Sequence, residues 1–132
     1  MKLPSEVSPS ESLARYLTHK NHYSLLYNSV RPAAFQPPSN LRLSVFRIDG
    51  LTFEEVWGIG QVDVINAMPQ PKKNLHGFAD IKASAVCEKN LDVDPDDNPP
   101  RHADIVGWPQ EKSECNLIAQ ELAASAILRL RS

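Results

Sequence analysis

Between Leu41 and Ile48, the apolar residues Leu41, Leu43 and Val45 alternate with Arg42, Ser44 and Phe46 and lead into Arg47-Ile48. A period of two sends successive side chains to opposite faces of an extended chain, so this spacing predicts a strand closed by Asp49-Gly50. Ala79, Ile81 and Ala83 alternate with Phe78, Asp80, Lys82 and Ser84, which predicts a second strand near residues 75–83 and a helical turn from 83 to 89. Leu91 and Val93 predict a short strand before an acidic loop, and Ala103, Ile105 and Val106 predict another after it.

Three stretches carry helical signals instead. Ser8-Pro9-Ser10-Glu11 offers a serine cap, a proline at the first helical position and a glutamate three residues after the cap. With Leu13, Tyr16 and Leu17 following at helical spacing, it predicts a first helix running to His19. Thr52-Phe53-Glu54-Glu55 repeats the capping box, and Phe53, Val56, Trp57, Gly60 and Val64 line one side of the helix that should follow, with Gly60 permitting close packing. Cys115, Ile118, Ala119, Leu122 and Ala126 recur at spacings of three and four, predicting a third helix that starts near Pro109 and extends to Arg129 and Arg131 at the negative end of its dipole.

The remaining stretches are less regular. Tyr23 to Val30 fits either a strand or a helical turn, and Arg31 to Asn40 is too rich in proline for a regular element, so it predicts an ordered loop pinned by Phe35. Pro69 to Lys73 reads as a linker. The order of elements predicts an α+β fold, a single domain over residues 1–132 with a small mixed or antiparallel sheet packed by about three helices and a loose N-terminal segment at 1–7.

Composition narrows the functional classes. Fourteen basic and 16 acidic residues leave a net charge of −2, so no long-range field favours nucleic acid or a membrane surface. No apolar run reaches the length of a signal peptide core or a membrane span, and Cys87 and Cys115 read as two reduced thiols, which together predict a cytoplasmic protein. Cys115 falls on the apolar stripe of the third helix and reads as core. A homo-oligomer is compatible with all of this.

Two clusters carry candidate chemistry. In Arg101-His102-Ala103-Asp104, extended backbone points His102 and Asp104 to one face, where the carboxylate orients the imidazole for proton transfer. In the stretch from Asn74 to Asp80, His76, Phe78 and Asp80 share a face on the same reasoning. If those two strands pair, His76, Asp80, His102 and Asp104 form one acid-base surface, with Arg31, Arg47 or Arg101 binding an anionic group. The competing reading of the same residues is a set of structural hydrogen bonds on a polar sheet face.

Other chemistries lack their motifs. Asp92 to Asn98 resembles a calcium loop in its first positions, but Asp97 stands where glycine is required and Ala103 where the bidentate glutamate belongs. The cysteines and histidines have no zinc spacing, and Gly58-Ile59-Gly60 lacks the third glycine of a dinucleotide fingerprint, so no metal or cofactor is implied. The His19, Lys20 and His22 group reads as solvated cations at a helix end. This survey favours a binding or regulatory module acting through a protein partner or small anionic ligand. The rival is a small metal-independent hydrolase or nuclease built on the His/Asp/Arg constellation.

Overall fold

A computed structural model of the chain describes residues 6–67 and 74–131. The expected linker at Pro69 to Lys73 and all but Glu6 and Val7 of the expected loose segment lie outside the described residues.

The first element is a strand, β1 (Ser12–Leu17), where the spacing had predicted a helix. The Ser8 to Glu11 box closes one turn, with the Glu11 amide donating to the Ser8 carbonyl at 3.0 Å and the Ser8 amide to Glu11 Oε2 at 3.2 Å, and goes no further. A strand here carries a helix-like spacing because β1 is covered on both faces. Leu13 and Leu17 enter one apolar cluster while Ala14 and Tyr16 enter another, so apolar residues fall on both faces and the spacing of 13, 16 and 17 mimics a helix.

After β1 come a short hairpin, β2 (Tyr23–Ser24) and β3 (Ser29–Val30), a 3-10 turn at Pro32–Phe35 that buries Phe35 completely, and β4 (Leu43–Arg47). Helix α1 (Phe53–Ile59) begins with the predicted capping box, Thr52 Oγ1 accepting from the Glu55 amide and Glu55 Oε1 accepting from the Thr52 amide, and runs on as a π-helical stretch, Gly60–Ile65. Strand β5 (Gly77–Lys82) leads directly into α2 (Ala83–Cys87), followed by β6 (Asp92–Pro95), β7 (His102–Val106) and α3 (Lys112–Ser125). The third helix stops short of its predicted end. Ala126 turns extended, and Ile127–Leu130 becomes β8, pairing with β5 from Gly77↔Leu130 to Asp80↔Ile127 and satisfying backbone groups that would otherwise line an open edge.

The six long strands form one antiparallel sheet in the order β6-β7-β4-β1-β5-β8. One face packs on α2, α3 and the Pro32–Phe35 turn through Leu13, Leu17, Val45, Ile81, Ala119 and Leu122. The other packs on α1 and its π-helical extension through Tyr16, Phe46, Val56, Ile65 and Phe78. The class is α+β, as the sequence predicts. Cys115 is buried in the first cluster, and no helix among the described residues is long and apolar enough to cross a membrane.

Arg47 is the largest side chain among those fully buried, and Glu11 neutralises it, with Nε 2.5 Å from Oε1 and Nη2 3.1 Å from Oε2. This pair ties the turn before β1 to the end of β4. Burying two charges costs several kcal/mol each, which only mutual pairing offsets, so removing one partner is worse than removing both. We expect Glu11→Leu to lower the unfolding free energy by about 3 to 5 kcal/mol and the double variant Glu11→Leu/Arg47→Met to recover most of it. Denaturant melts of the three proteins check this, and equal midpoints for single variant and parent would contradict it.

Gly77 lets β8 approach, because a Cβ there would stand 2.3 Å from the Arg129 carbonyl oxygen. Gly77→Ala should cost about 1 to 3 kcal/mol by forcing the strands apart. Amide exchange at Leu128 to Leu130 should accelerate well beyond that of β1, and uniform exchange across the sheet would argue against a local effect.

Candidate functional site

The antiparallel register of β4 and β7 sets Phe46 opposite His102 and Ser44 opposite Asp104. All four side chains therefore emerge on the face that packs against α1. The chain between β6 and β7 folds back over the start of β7, with the amides of Asp96 and Asp97 both donating to the His102 carbonyl and with positive φ at Asp97 and Arg101. That reversal returns Asp96 to the imidazole it precedes by six residues.

His102 is held at both nitrogens. Its Nδ1 lies 2.7 Å from Asp96 Oδ1 and its Nε2 lies 2.6 Å from Ser44 Oγ, while its ring meets Phe46 edge-on at 5.3 Å between centroids. An ionised carboxylate only accepts, so Nδ1 carries the proton and Nε2 is left to accept from the Ser44 hydroxyl; this tautomer is assigned from the partners. Burial works against ionising Asp96, but the hydrogen bond from His102, the Asn98 amide and the nearby charges of His102 and Arg42 outweigh it and hold its pKa below the usual range. Asp96 is therefore an anion at neutral pH.

A second carboxylate stands close by. Asp104 Oδ1 is 3.6 Å from His102 Nε2, and its Oδ2 accepts from Arg42 Nε at 2.9 Å, while Arg42 Nη2 donates to Asp94 at 2.6 Å. The hydrogen bonds that Arg42 donates to Asp94 and Asp104 raise its pKa, so this guanidinium stays charged. Asp96, His102 and Asp104 offer ligand atoms within 4.8 Å of one another, the spacing of a metal site. Arg42 already places a positive charge on Asp104, and Ser44 and Asp96 occupy both imidazole nitrogens, so the donor set fits a hydrogen-bond relay better than a cation.

Ser44 and His102 open on a cavity of about 330 Å³, walled on the sheet side by Arg15, Tyr16 and Phe46 and opposite by Asp63 and Pro99. This lies at the small end of ligand pockets. Tyr16 spans its base, donating from its hydroxyl to the Val56 carbonyl at 2.6 Å, and burial raises its pKa so that it remains a phenol.

The other sequence candidates lie elsewhere. Strands β4 and β1 intervene between β7 and β5, so the strand pairing that would have joined His76 and Asp80 to His102 and Asp104 does not occur. At about 4.8 Å per strand the two groups stand roughly 14 Å apart across the same face. His76 Nδ1 meets the Tyr23 hydroxyl at 3.0 Å, and Asp80 accepts from Arg129 at 3.4 Å. Arg31 is exposed, Arg47 is buried against Glu11, and Arg101 Nη1 donates to the Arg47 carbonyl at 3.1 Å. His22 is buried with Nδ1 accepting from the Thr18 amide at 3.2 Å, so it is no solvated cation.

Sequence reasoning passed over Ser44 and Asp96. Ser44 has a legible signal, a small hydroxyl at the same strand parity as Phe46, but only the register with β7 says which histidine it meets. Asp96 was visible as part of an acidic loop, and its return to His102 depends on backbone reversals at Asp97 and Arg101 that spacing does not encode. Comparison with known proteins adds no precedent for this arrangement, since no family model, curated protein or solved structure matches the chain.

Proposed function

We propose that this protein is a small, metal-independent hydrolase of the cytoplasm in which Ser44 is the nucleophile, His102 the general base and acid, and Asp96 the group that orients the imidazole. One observation carries the reading: the unbroken relay from Ser44 Oγ to His102 Nε2 and from Nδ1 to Asp96 Oδ1, at 2.6 and 2.7 Å, beside a cavity. A serine hydroxyl is a weak nucleophile until an adjacent base takes its proton, and a base works best when a third group fixes its tautomer.

The reaction follows from those positions. Ser44 Oγ attacks the acyl carbon of a small ester as its proton passes to His102 Nε2. The bond to the leaving oxygen breaks, and His102 returns that proton to the departing alcohol. Water then attacks the acyl-serine, giving a proton to His102, and collapse releases the acid while the proton goes back to Ser44 Oγ. The imidazolium formed in each half has Asp96 at Nδ1 and Asp104 at 3.6 Å from Nε2.

A fluorophosphonate probe should label Ser44, located by peptide mass spectrometry, and Ser44→Ala should abolish both labelling and hydrolysis of 4-nitrophenyl acetate. Asp96→Asn should lower kcat by about 10²- to 10⁴-fold. Absence of labelling at every pH tested would defeat the proposal.

A separate observation favours the binding-module reading. Leu25, Leu26 and Tyr27, in the turn joining β2 to β3, are 72%, 84% and 76% exposed, an apolar tip suited to a protein partner. The aromatic residues expected at a binding rim support it less, since Phe35 and Trp108 are buried and Trp57 is half-buried. This reading expects an unreactive Ser44.

Asp96 also links the site to stability. Its folded pKa is depressed, so its contribution is fully present above the unfolded carboxylate pKa of about 3.9 and is lost as pH falls through the lower folded value. The parent should therefore lose stability between pH 5 and about pH 2 faster than Asp96→Asn, as measured by thermal melts across that window. Parallel curves would show that Asp96 gains nothing from His102.

A further inference from the structure

Arg15 lies in the wall of the same cavity, where the pairing of β1 with β4 stops after Leu13↔Arg47 and Ala14↔Phe46. Its Nε donates to the Ala34 carbonyl at 2.8 Å and its Nη1 to the Ser44 carbonyl at 3.1 Å, which ties it to the backbone beside Ser44. Those are neutral acceptors. Among the described residues no carboxylate lies within ion-pair distance of this guanidinium, whereas Arg47 and Arg129 each have one and Arg42 has two. Burial lowers the Arg15 pKa to about 10, which leaves it charged at neutral pH.

A half-buried cation without a counter-ion is unfavourable by itself, and a planar guanidinium with two donors fixed on carbonyls presents its remaining donors in a set direction. Among the described residues that line the cavity, Asp63 is on the helical side and supplies the only other permanent charge besides the His102 relay. An anion entering beside Ser44 would supply the charge that Arg15 lacks.

Resting on the hydrolase reading, we propose that Arg15 holds the carboxylate of an anionic acyl group, so that the substrates are small esters whose acyl chain ends in a carboxylate. Arg15 anchors the ground state and is not the donor to the tetrahedral oxygen. Uniform binding of that kind appears in KM, whereas a donor used only in the transition state appears in kcat.

The test uses two esters with six-carbon acyl groups, 4-nitrophenyl hexanoate and mono-(4-nitrophenyl) adipate, with the full chain. The parent should show the lower KM for the adipate ester. In Arg15→Met the ratio of adipate to hexanoate KM should rise about 10- to 100-fold, and Arg15→Lys should restore part of it. Asp63→Asn should strengthen the preference for the adipate. A parent that favours the hexanoate ester, or an Arg15→Met variant that loses kcat equally on both, overturns the inference while fluorophosphonate labelling of Ser44 leaves the hydrolase reading standing. Failure of that labelling overturns the hydrolase reading itself. The parent comparison decides the matter even where Arg15→Met fails to fold.

Discussion

The sheet is covered on both sides, and most of what distinguishes this chain follows from that. Strands β1 and β4 lie at its centre with helices against each face, so nearly every side chain they carry must be apolar or neutralised. Where a charge does fall there it is answered locally: Arg47 by Glu11, Arg15 by two carbonyls. A buried ion pair contributes little net stability compared with an apolar pair of the same volume. Its consequence here is geometric, because it fixes the turn before β1 against the end of β4 and with it the register of the strand that presents Ser44.

Two-sided burial also decides what the sequence reveals. Strands β4, β5, β6 and β7 were all legible from their period of two or from short apolar runs between turn residues. The helix at Phe53 was legible from its capping box, whose hydrogen bonds form as the residue types imply. The segment β1 was not, because apolar residues on both faces at 13, 14, 16 and 17 satisfy a helical template equally well. The end of α3 was misread for a related reason: Ile127 and Leu130 continue an apolar series that helix and edge strand can both use, and only the open edge of β5 selects the strand.

Site residues obey the same division between local and non-local information. The pairing of His102 with Asp104 on one face was readable from alternation alone, and it holds. Joining that pair to His76 and Asp80 required strand order, a non-local property, and β4 and β1 occupy the space between. The partners that do reach His102 come from a strand 58 residues earlier and from a loop six residues earlier. Neither contact is encoded by spacing, since one depends on register and the other on positive φ at Asp97 and Arg101.

On the proposed hydrolase reading, the charge arrangement around His102 suits a proton relay. A purely structural histidine needs its two hydrogen bonds and nothing more. Here two carboxylates approach a ring that Ser44 also approaches, and Arg42 neutralises the one whose second oxygen faces away. Under that reading one free and one neutralised carboxylate would flank a ring that accepts a proton from Ser44 and then releases it. Arg15, held by two neutral carbonyls and by no carboxylate among the described residues, lines the same cavity as Ser44 and His102, so on the proposed reading the cavity would combine a place for proton transfer with a place for an anion.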